Sequence, residues 1–545
     1  MNWKFINQKH KAKNTKQIVE ILLENRGIEN EKDKEEFFTP KHPEKIELKE
    51  LEISEQPIKE AIERIKVAKK NNEGILIYGD YDADGVAATA ILWEALHGSE
   101  FDVHPYIPDR FADGYGLNSS RVEKLLTEFP SIKLIITVDN GIVANKEIEK
   151  IRKSGVDIIV TDHHQISEKL PDATAVIHTD KIAGSAVSWV LARELYKAGV
   201  VQNLPSVDLA AIGTISDVMP LLGANRAFVK HGLEELNQMK RPGIVQLCVQ
   251  ANINADELGV YEIAFVIAPR INSMGRLSSA LDSLRLVCTL NQNNAQKLAT
   301  ILSTTNAERQ KIVDEVLVQA ISQAKKLKSP AIIIYHESYH EGVIGLAASK
   351  LVEKFYRPAI VISTGDKIAK ASARSIAGFN MIENIRKTEH LLLQCGGHSM
   401  AAGFSIAPEK IEEFIETFNA NSLDVLTEDI LQRSLDIDTE VKFDLLNEDL
   451  VDELKKFEPT GNGNKQPVFA TTDVKIERFK TVGQEDKHLK LTLSQGDRRF
   501  DAIAFGLGYL ASELHEGDLV NAAYCLEENV WNGKTSLQLK IKDIV

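Results

Sequence analysis

The chain has 545 residues, 43% hydrophobic and 26% charged, with 79 acidic against 65 basic side chains and a net charge of −14. That balance argues against a basic nucleic-acid coat protein, but a cluster of metal-binding acids and a local basic groove can both sit inside a negative total. No apolar run reaches the ~18 residues of a membrane span, the N-terminal MNWKFINQKHKAKN lacks an apolar signal core, and Cys248, Cys288, Cys395 and Cys525 form no C-x-x-C pair. A reduced cytoplasmic protein without a zinc–thiolate site is expected.

At ~150 residues per domain, three or four domains are expected. Residues 1–70 are polar and rich in Lys and Glu, with amphipathic pieces such as Ile18-Val19-Ile21-Leu22, and read as an N-terminal helical cap. From 71 to 291 the pattern changes. ILIY (75–78), KLIITV (133–138), DIIV (157–160) and TAVI (174–177) are short and β-branched. They do not alternate polar with apolar, as strands buried on both faces should not. Helical stretches separate them, which predicts βαβ crossovers and a parallel doubly wound sheet.

Residues 292–328 contain no Gly or Pro. Leu298, Ile301, Leu302, Ile312, Val313, Val316, Leu317 and Ala320 recur at helical spacing. One long connecting helix of roughly 50 Å follows at ~1.5 Å per residue. It reads as a strut between two lobes or as a bundle helix. A second α/β domain is expected over 329–455, with AIIIY and AIVIS as strands around the helix GVIGLAASKLVEKF. In 456–545, Leu489-Leu491-Leu493 and Leu537-Leu539-Ile541 alternate with polar residues, and Asn532-Gly533 is a hairpin signal. A small OB-like β-barrel is expected there.

The chemistry gathers at strand ends. ILIY is followed by Asp80, Asp82 and Asp84, KLIITV by Asp139, and DIIVT by Asp162-His163-His164. Ligands of open α/β sheets bind outside the carboxyl ends of the strands, so in a parallel sheet these groups converge. Asp217, in AIGTISDVMPL, is a further candidate. A turn would explain YDADG alone, and a surface pair would explain His-His alone, but neither explains three acidic strand ends together. Carboxylates with one or two imidazoles favour Mn²⁺ or Mg²⁺ over zinc. Four or five carboxylates exceed what one hard cation balances, so two ions sharing a carboxylate, and hydrolysis of phosphoryl bonds, are expected.

GDYDADG, TVDNG, TDHH and the later Asp217 resemble the four motifs of the DHH phosphoesterases. PDRFADGYGLN (108–118), APRINSMGRL (268–277), YHEGVIG (339–345), SARS (372–375), GGHSMAAGFS (396–405) and EPTGNGNKQPVF (458–469) resemble the RecJ branch of that family, the single-strand-specific DNA exonucleases. The resemblance covers nearly the whole chain, with its motifs in the family's order. It implies a 5′-to-3′ exonuclease that releases mononucleotides from single-stranded DNA, in repair and recombination. It implies Asp82, Asp84, Asp139, His163 and Asp217 as metal ligands and Asp80 as a ligand or outer-shell partner. It places His164 on the scissile phosphate, with Asp139 and Asp162 also at the catalytic centre. Arg110, Tyr115, Arg270, Arg276, His340, Ser372, Arg374 and His398 become candidates for holding the strand, Ser372 and Arg374 for its 5′ end. A cleft between two lobes, too narrow for duplex, would select single strands, and the barrel would extend the path.

The resemblance has departures. SMG stands where many relatives have two alanines before the glycine, Tyr339 stands where a tryptophan is frequent, and the chain ends at the barrel. A single-strand-binding protein and a helicase are the candidate protein partners, and no membrane is expected. One rival is a DHH phosphatase acting on short oligonucleotides or pyrophosphate-type substrates. The cap, long helix and barrel oppose it, since small substrates need no such track. The other is a catalytically dead DNA-binding scaffold, which the intact acidic motifs oppose.

Overall fold

The buried runs read from the sequence become five parallel strands: β1 Gly74–Tyr78, β2 Val103–Tyr106, β3 Ile132–Val138, β4 Asp157–Asp162 and β5 Ala175–His178, in the order β2-β1-β3-β4-β5. The computed structural model describes the whole chain except residues 8–11, 115, 167–168, 366 and 532. β1 is buried along its whole length, as a strand covered by crossover helices on both faces must be. β2 was not predicted: it is four residues long and contains Pro105, which a ladder tolerates at its edge position. Helices α1 Ala83–His97, α2 Gly184–Lys197 and α3 Asp208–Ser216 pack on one another beside this sheet. Helix α4, Gly223–Leu236, follows and packs on α3.

The chain divides into two units, the larger holding Trp3–Ala268, Ser283–Gln296 and Leu435–Val545 and the smaller Met1–Asn2, Pro269–Asp282 and Lys297–Ser434. The larger therefore contains the parallel sheet together with a C-terminal barrel. The barrel strands are β11 Phe469–Val482, β12 His488–Gln495, β13 Arg498–Ala504, β14 Leu519–Trp531 and β15 Lys534–Ile544. They run in the order β11-β12-β13-β15-β14, and β14 pairs back onto β11, closing a five-stranded barrel of the OB type. Leu489, Leu491 and Leu493 point inward, as their alternation predicts. The N-terminal helices Thr15–Glu24 and Glu31–Phe38 share this core: Ile18, Leu22 and Phe37 pack in one cluster with Phe443, Phe457 and Phe469. Asn532, half of the predicted hairpin signal, lies outside the described residues.

Helix α5, Gln292–Ala324, has 33 residues. It stops short of the expected 328 because Leu327 N–H bonds back to the Ala324 carbonyl in a tighter turn ahead of Pro330. The smaller unit carries a mixed sheet of β6 Ile332–His336, β7 Ala359–Ser363, β8 Ala369–Arg374, β9 Leu392–Gly397 and β10 Ala401–Ile406, ordered β9-β10-β8-β7-β6. β6 and β7 are parallel, joined through helix α6 Ile344–Phe355, and the remaining pairs are antiparallel. Among the described residues no helix is long and apolar enough to cross a membrane.

Candidate metal centre

The acids after β1 are built into the start of α1. Asp82 caps the helix, its side chain accepting from Gly85 N–H at 2.9 Å, and Asp80 accepts from Tyr81 N–H at 2.8 Å. Gly85 must be glycine, because a Cβ there would lie 2.6 Å from the Asp80 Cβ and carbonyl oxygen. Asp84, one residue into α1, turns into the protein and accepts from the first backbone N–H groups of α2, Gly184 at 2.8 Å and Ser185 at 3.1 Å.

Asp139 follows β3 in a left-handed conformation, φ 59°, fixed by its N–H to the Thr161 carbonyl at 3.0 Å. Asn140 bridges the ends of β1 and β3, donating to the Tyr78 and Val138 carbonyls at 3.1 and 2.9 Å. At the end of β4, Asp162 is spent on protein donors. Its Oδ1 accepts from His163 N–H, His164 N–H and His164 Nδ1 at 2.7, 3.1 and 2.8 Å, and its Oδ2 from Ile142 N–H at 2.9 Å. His178 Nε2 donates to the His164 carbonyl at 2.7 Å and holds that turn from β5. Asp217 is the C-cap of α3.

These elements bring the predicted residues together. His163 Nε2 lies 3.2 Å from Asp139 Oδ1, 3.7 Å from Asp217 Oδ2 and 3.9 Å from Asp84 Oδ2. Three ligand-competent groups result: Asp80, Asp82 and Asp139; Asp84, His163 and Asp217; and Asp139, His163 and His164, the atoms of each lying within 4.8 Å of one another. Asp139 belongs to two of them. Asp162 belongs to none, and instead fixes His164.

The electrostatics sort the acids the same way. Burial and the neighbouring Asp82 push the Asp80 carboxyl up to about 8. Burial and then Asp84 raise Asp82. Burial followed by Asp84 and Asp82 pushes Asp217 up to about 8. Asp139, buried beside Asp84, Asp82, Asp80 and Asp162, is held well above the usual carboxylate range. Burial also acts to raise Asp162, but the bond and charge of His164 and the backbone donors hold it low. Burial would lower His164, yet its bond to Asp162 and the charges of Asp162, Asp217 and Asp80 carry it up to about 9. Burial keeps His163 below its ordinary value, against the pull of Asp84.

Hard divalent cations fit this donor set. Asp139 Oδ1 is buried with no hydrogen-bond partner, and an acidic cluster whose members raise one another's pKa values needs positive charge at its centre. Oxygen-rich donors with one or two imidazoles and no thiolate suit Mn²⁺ or Mg²⁺.

The candidate strand-holding residues fall in separate places. In the larger unit Arg110 stacks over the Tyr81 ring at 5.3 Å, between the first two acids in sequence. Its loop is organised by Asp113, which accepts from Tyr106 Oη, Asp109 N–H and Arg121 Nε at 2.5, 2.9 and 2.7 Å. Tyr115 lies outside the described residues.

The other candidates lie in the smaller unit. Ser372 and Arg374 stand two residues apart on β8, and Arg374 Nη1 bonds to Ser372 Oγ at 3.3 Å. A Cβ on Gly345, at the start of α6, would come within 2.8 Å of Ser372 Oγ and 3.2 Å of Arg374 Nη2. A guanidinium, a hydroxyl and a helix N-terminus thus meet at one place, which is the equipment of an anion site. His398 is exposed on the turn between β9 and β10, and β10 places Ala401 opposite Arg374. His340 is exposed, its Nδ1 accepting from Gly342 N–H at 3.1 Å. Arg276 reaches the Gly342 carbonyl at 3.2 Å. Arg270 and Arg276 both lie on the helix Ala268–Leu277, so INSMG between them is helical and its N–H groups are not offered to a phosphate.

Sequence reasoning missed Gly184, Ser185 and Gly213. A Cβ on Gly184 would sit 2.3 Å from Asp139 Oδ1, and one on Gly213 2.1 Å from Asp84 Oδ1. IAGSAVSW reads as an ordinary small-residue helix start, and the run of small residues was the available signal.

Known families match three stretches: the N-terminal domain of the DHH family over residues 74–214, the DHHA1 domain over 314–421 and the RecJ OB domain over 437–543. The single-stranded-DNA-specific exonuclease RecJ of Bacillus subtilis is 33% identical over 541 residues, covering 96% of this chain and 67% of that protein. Among solved structures, RecJ from Thermus thermophilus in complex with Mn²⁺ superposes with a TM-score of 0.83 at 30% identity, covering 100% of this chain and 79% of that one. The Mg²⁺ complex of RecJ from the same organism gives 0.76 at 28% identity, with 100% and 78% covered. A 33% identity spanning nearly all of this chain, with the three domains in order, is a family relationship: the chain belongs to the RecJ family.

Proposed function

We propose that this chain is a two-metal exonuclease that degrades single-stranded DNA from its 5′ end to mononucleotides, in DNA repair and recombination. The observation that carries the reading is the convergence of Asp80, Asp82, Asp84, Asp139, His163 and Asp217 into ligand groups linked through Asp139 and His163. Asp80, Asp82 and Asp139 would hold one ion, and Asp84, Asp139, His163 and Asp217 the other. Mn²⁺ or Mg²⁺ bound there supplies an acidified water and neutralises charge on the phosphoryl oxygens.

The chain's own groups do the rest. His164, oriented through Nδ1 by Asp162, would donate to an oxygen of the scissile phosphate, where a fixed donor stabilises charge as it develops. Asp162, with its oxygens committed to donors, holds that imidazole in one orientation. In the smaller unit Arg374, Ser372 and the start of α6 would take the 5′ phosphate, with His340 and His398 as further contacts. Arg110 and Tyr115, with Arg270 and Arg276, would hold the following backbone. The closed barrel would bind the trailing strand, as OB folds bind oligonucleotides. A cytoplasmic enzyme, with a single-strand-binding protein and a helicase as partners, completes the proposal.

The test is a digestion time course with Mn²⁺ on a 3′-labelled single-stranded oligonucleotide beside the same strand in a blunt duplex. A descending ladder from the single strand alone is expected. An intact oligonucleotide beside hydrolysed dinucleotide or pyrophosphate would move the chain to small substrates.

A further inference from the structure

Asp217 sits in a helix-ending turn. It ends α3, and the next residue, Val218, takes φ 59°. Met219 N–H bonds to the Thr214 carbonyl at 3.2 Å, so Val218 occupies the left-handed position of a helix-ending turn that glycine usually fills. A β-branched residue is strained there, and the Val218 side chain, 65% exposed, gains little packing in return.

The support comes from far along the chain. Asn462 Nδ2 donates to the Val218 carbonyl at 2.7 Å, and the Asn462 carbonyl accepts from Leu221 N–H at 2.7 Å. Its two neighbours are glycines for steric reasons: a Cβ on Gly461 would lie 2.7 Å from Leu221 Cδ1, and one on Gly463 2.9 Å from Pro220 Cβ. The segment is itself anchored. Asn464 is fully buried, donates to the Phe457 and Pro459 carbonyls and accepts from Arg26 Nε. Arg226, from α4, donates to the carbonyls of Lys456, Phe457, Glu458 and Pro459.

We infer that Asn462, in the segment leading into the barrel, is a positioning residue for the metal ligand Asp217, acting by holding Val218 in its strained conformation. This rests on the metal centre proposed above. The entry to the barrel then fixes part of that centre as well as tethering a DNA-binding module.

The experiment is Mn²⁺ binding by calorimetry to the full chain, wild type against Asn462→Ala and Asp217→Ala, with the unfolding midpoint of each metal-free protein. Losing one hydrogen bond at the ligand-bearing turn should weaken Mn²⁺ binding by roughly three- to tenfold, with the midpoint little changed and turnover restored at saturating Mn²⁺. Adding Val218→Gly, which removes the strain that Asn462 opposes, should bring the affinity back toward wild type. Asn462→Asp, isosteric but unable to donate to the Val218 carbonyl, replaces the alanine variant should that one unfold. Unchanged affinity without the Asn462 donor, beside a weakened Asp217→Ala, overturns this inference alone, as does failure of Val218→Gly to rescue. Wild type that binds no Mn²⁺, or Asp217→Ala that binds like wild type, takes down the metal-centre reading and this inference with it.

Discussion

Gly184→Ala adds one methyl group to the first residue of α2 and should silence the enzyme while leaving it folded. The new Cβ would lie 2.3 Å from Asp139 Oδ1 and 2.7 Å from Asp139 Cβ and Cγ, about 1 Å inside the 3.4 Å at which ordinary contact begins. Neither partner can step aside cheaply. Asp139 is 2% exposed, sits at φ 59° and is tied through its N–H to Thr161. The helix cannot recede, because residues 184–192 are buried without interruption and the Gly184 and Ser185 N–H groups hold Asp84. Overpacking of this size costs ~1–3 kcal/mol of stability. Displacing a reacting group by ~1 Å costs about 10²-fold in rate.

The assay pairs single-strand turnover at saturating Mn²⁺ with Mn²⁺ affinity and urea unfolding. The expected result is a fall of about 10² in kcat together with weaker Mn²⁺ binding, in a protein that still unfolds cooperatively. Ser185→Ala is the matched control, since the buried Ser185 Oγ has no hydrogen-bond partner and its backbone N–H remains. It should change neither turnover nor stability appreciably. Near-normal turnover in Gly184→Ala would refute the packing of α2 against Asp139 as a determinant of the centre.

Asp162→Asn keeps the shape but places a donor or a neutral acceptor opposite Ile142 N–H and His164, so turnover should fall ~10²–10⁴-fold. Mn²⁺ affinity should change far less, because Asp162 belongs to none of the ligand groups; an equal loss of affinity would make it a ligand after all. Arg226→Met should destabilise by ~3–5 kcal/mol in urea unfolding, because it leaves several buried backbone carbonyls without donors at ~1–3 kcal/mol each. Arg226 is 1% exposed, and its guanidinium serves five backbone carbonyls, so a loss of only a few tenths would contradict that role. Arg374→Ala should raise KM for 5′-phosphorylated strands by roughly 10–100-fold, the worth of a hydrogen bond to a charged group, with kcat little changed. A pure loss of turnover at saturating DNA would place Arg374 in the chemistry instead.

The acids at the ends of β1, β3 and β4 were legible because two local signals coincide there: a buried β-branched run and a carboxylate immediately after it. Parallel pairing then does the gathering, and the sheet order places β3 between β1 and β4, so Asp139 lies between the other two clusters. What holds the acids was not legible. The donors to Asp84 come from Gly184 and Ser185, one hundred residues on, and nothing in GSAVSW marks backbone N–H groups as ligands. Arg226 reads as a surface-helix arginine, and its partners at 37 and 456–459 are set by packing of distant segments. β2 was hidden by Pro105, and the INSMG stretch, with a glycine inside it, folds as helix because the long helical run around it overrides one unfavourable residue.

The aspartates of the centre therefore divide by what their oxygens are given to do. Asp162 accepts four hydrogen bonds and is held low, which makes it a fixed anion that orients His164. Asp80 and Asp82 each accept a backbone N–H, while Asp139 Oδ1 accepts none, and all three are raised by burial and by neighbouring acids. Their repulsion is a cost that a cation removes, so the acids with unspent oxygens are the ones that want a metal. Asp84 combines both conditions. Its two oxygens accept the N–H groups at the start of α2, whose dipole offsets part of a negative charge, yet it lies 3.9 Å from His163 Nε2 in a ligand group with Asp217. A carboxylate oxygen has two lone pairs, so one donor on each leaves a second direction open to a cation. Asp84 is then the acid that α2 aims at the centre through its first two N–H groups, and Gly184 and Gly213 are the glycines that let α2 and α3 come close enough to aim it.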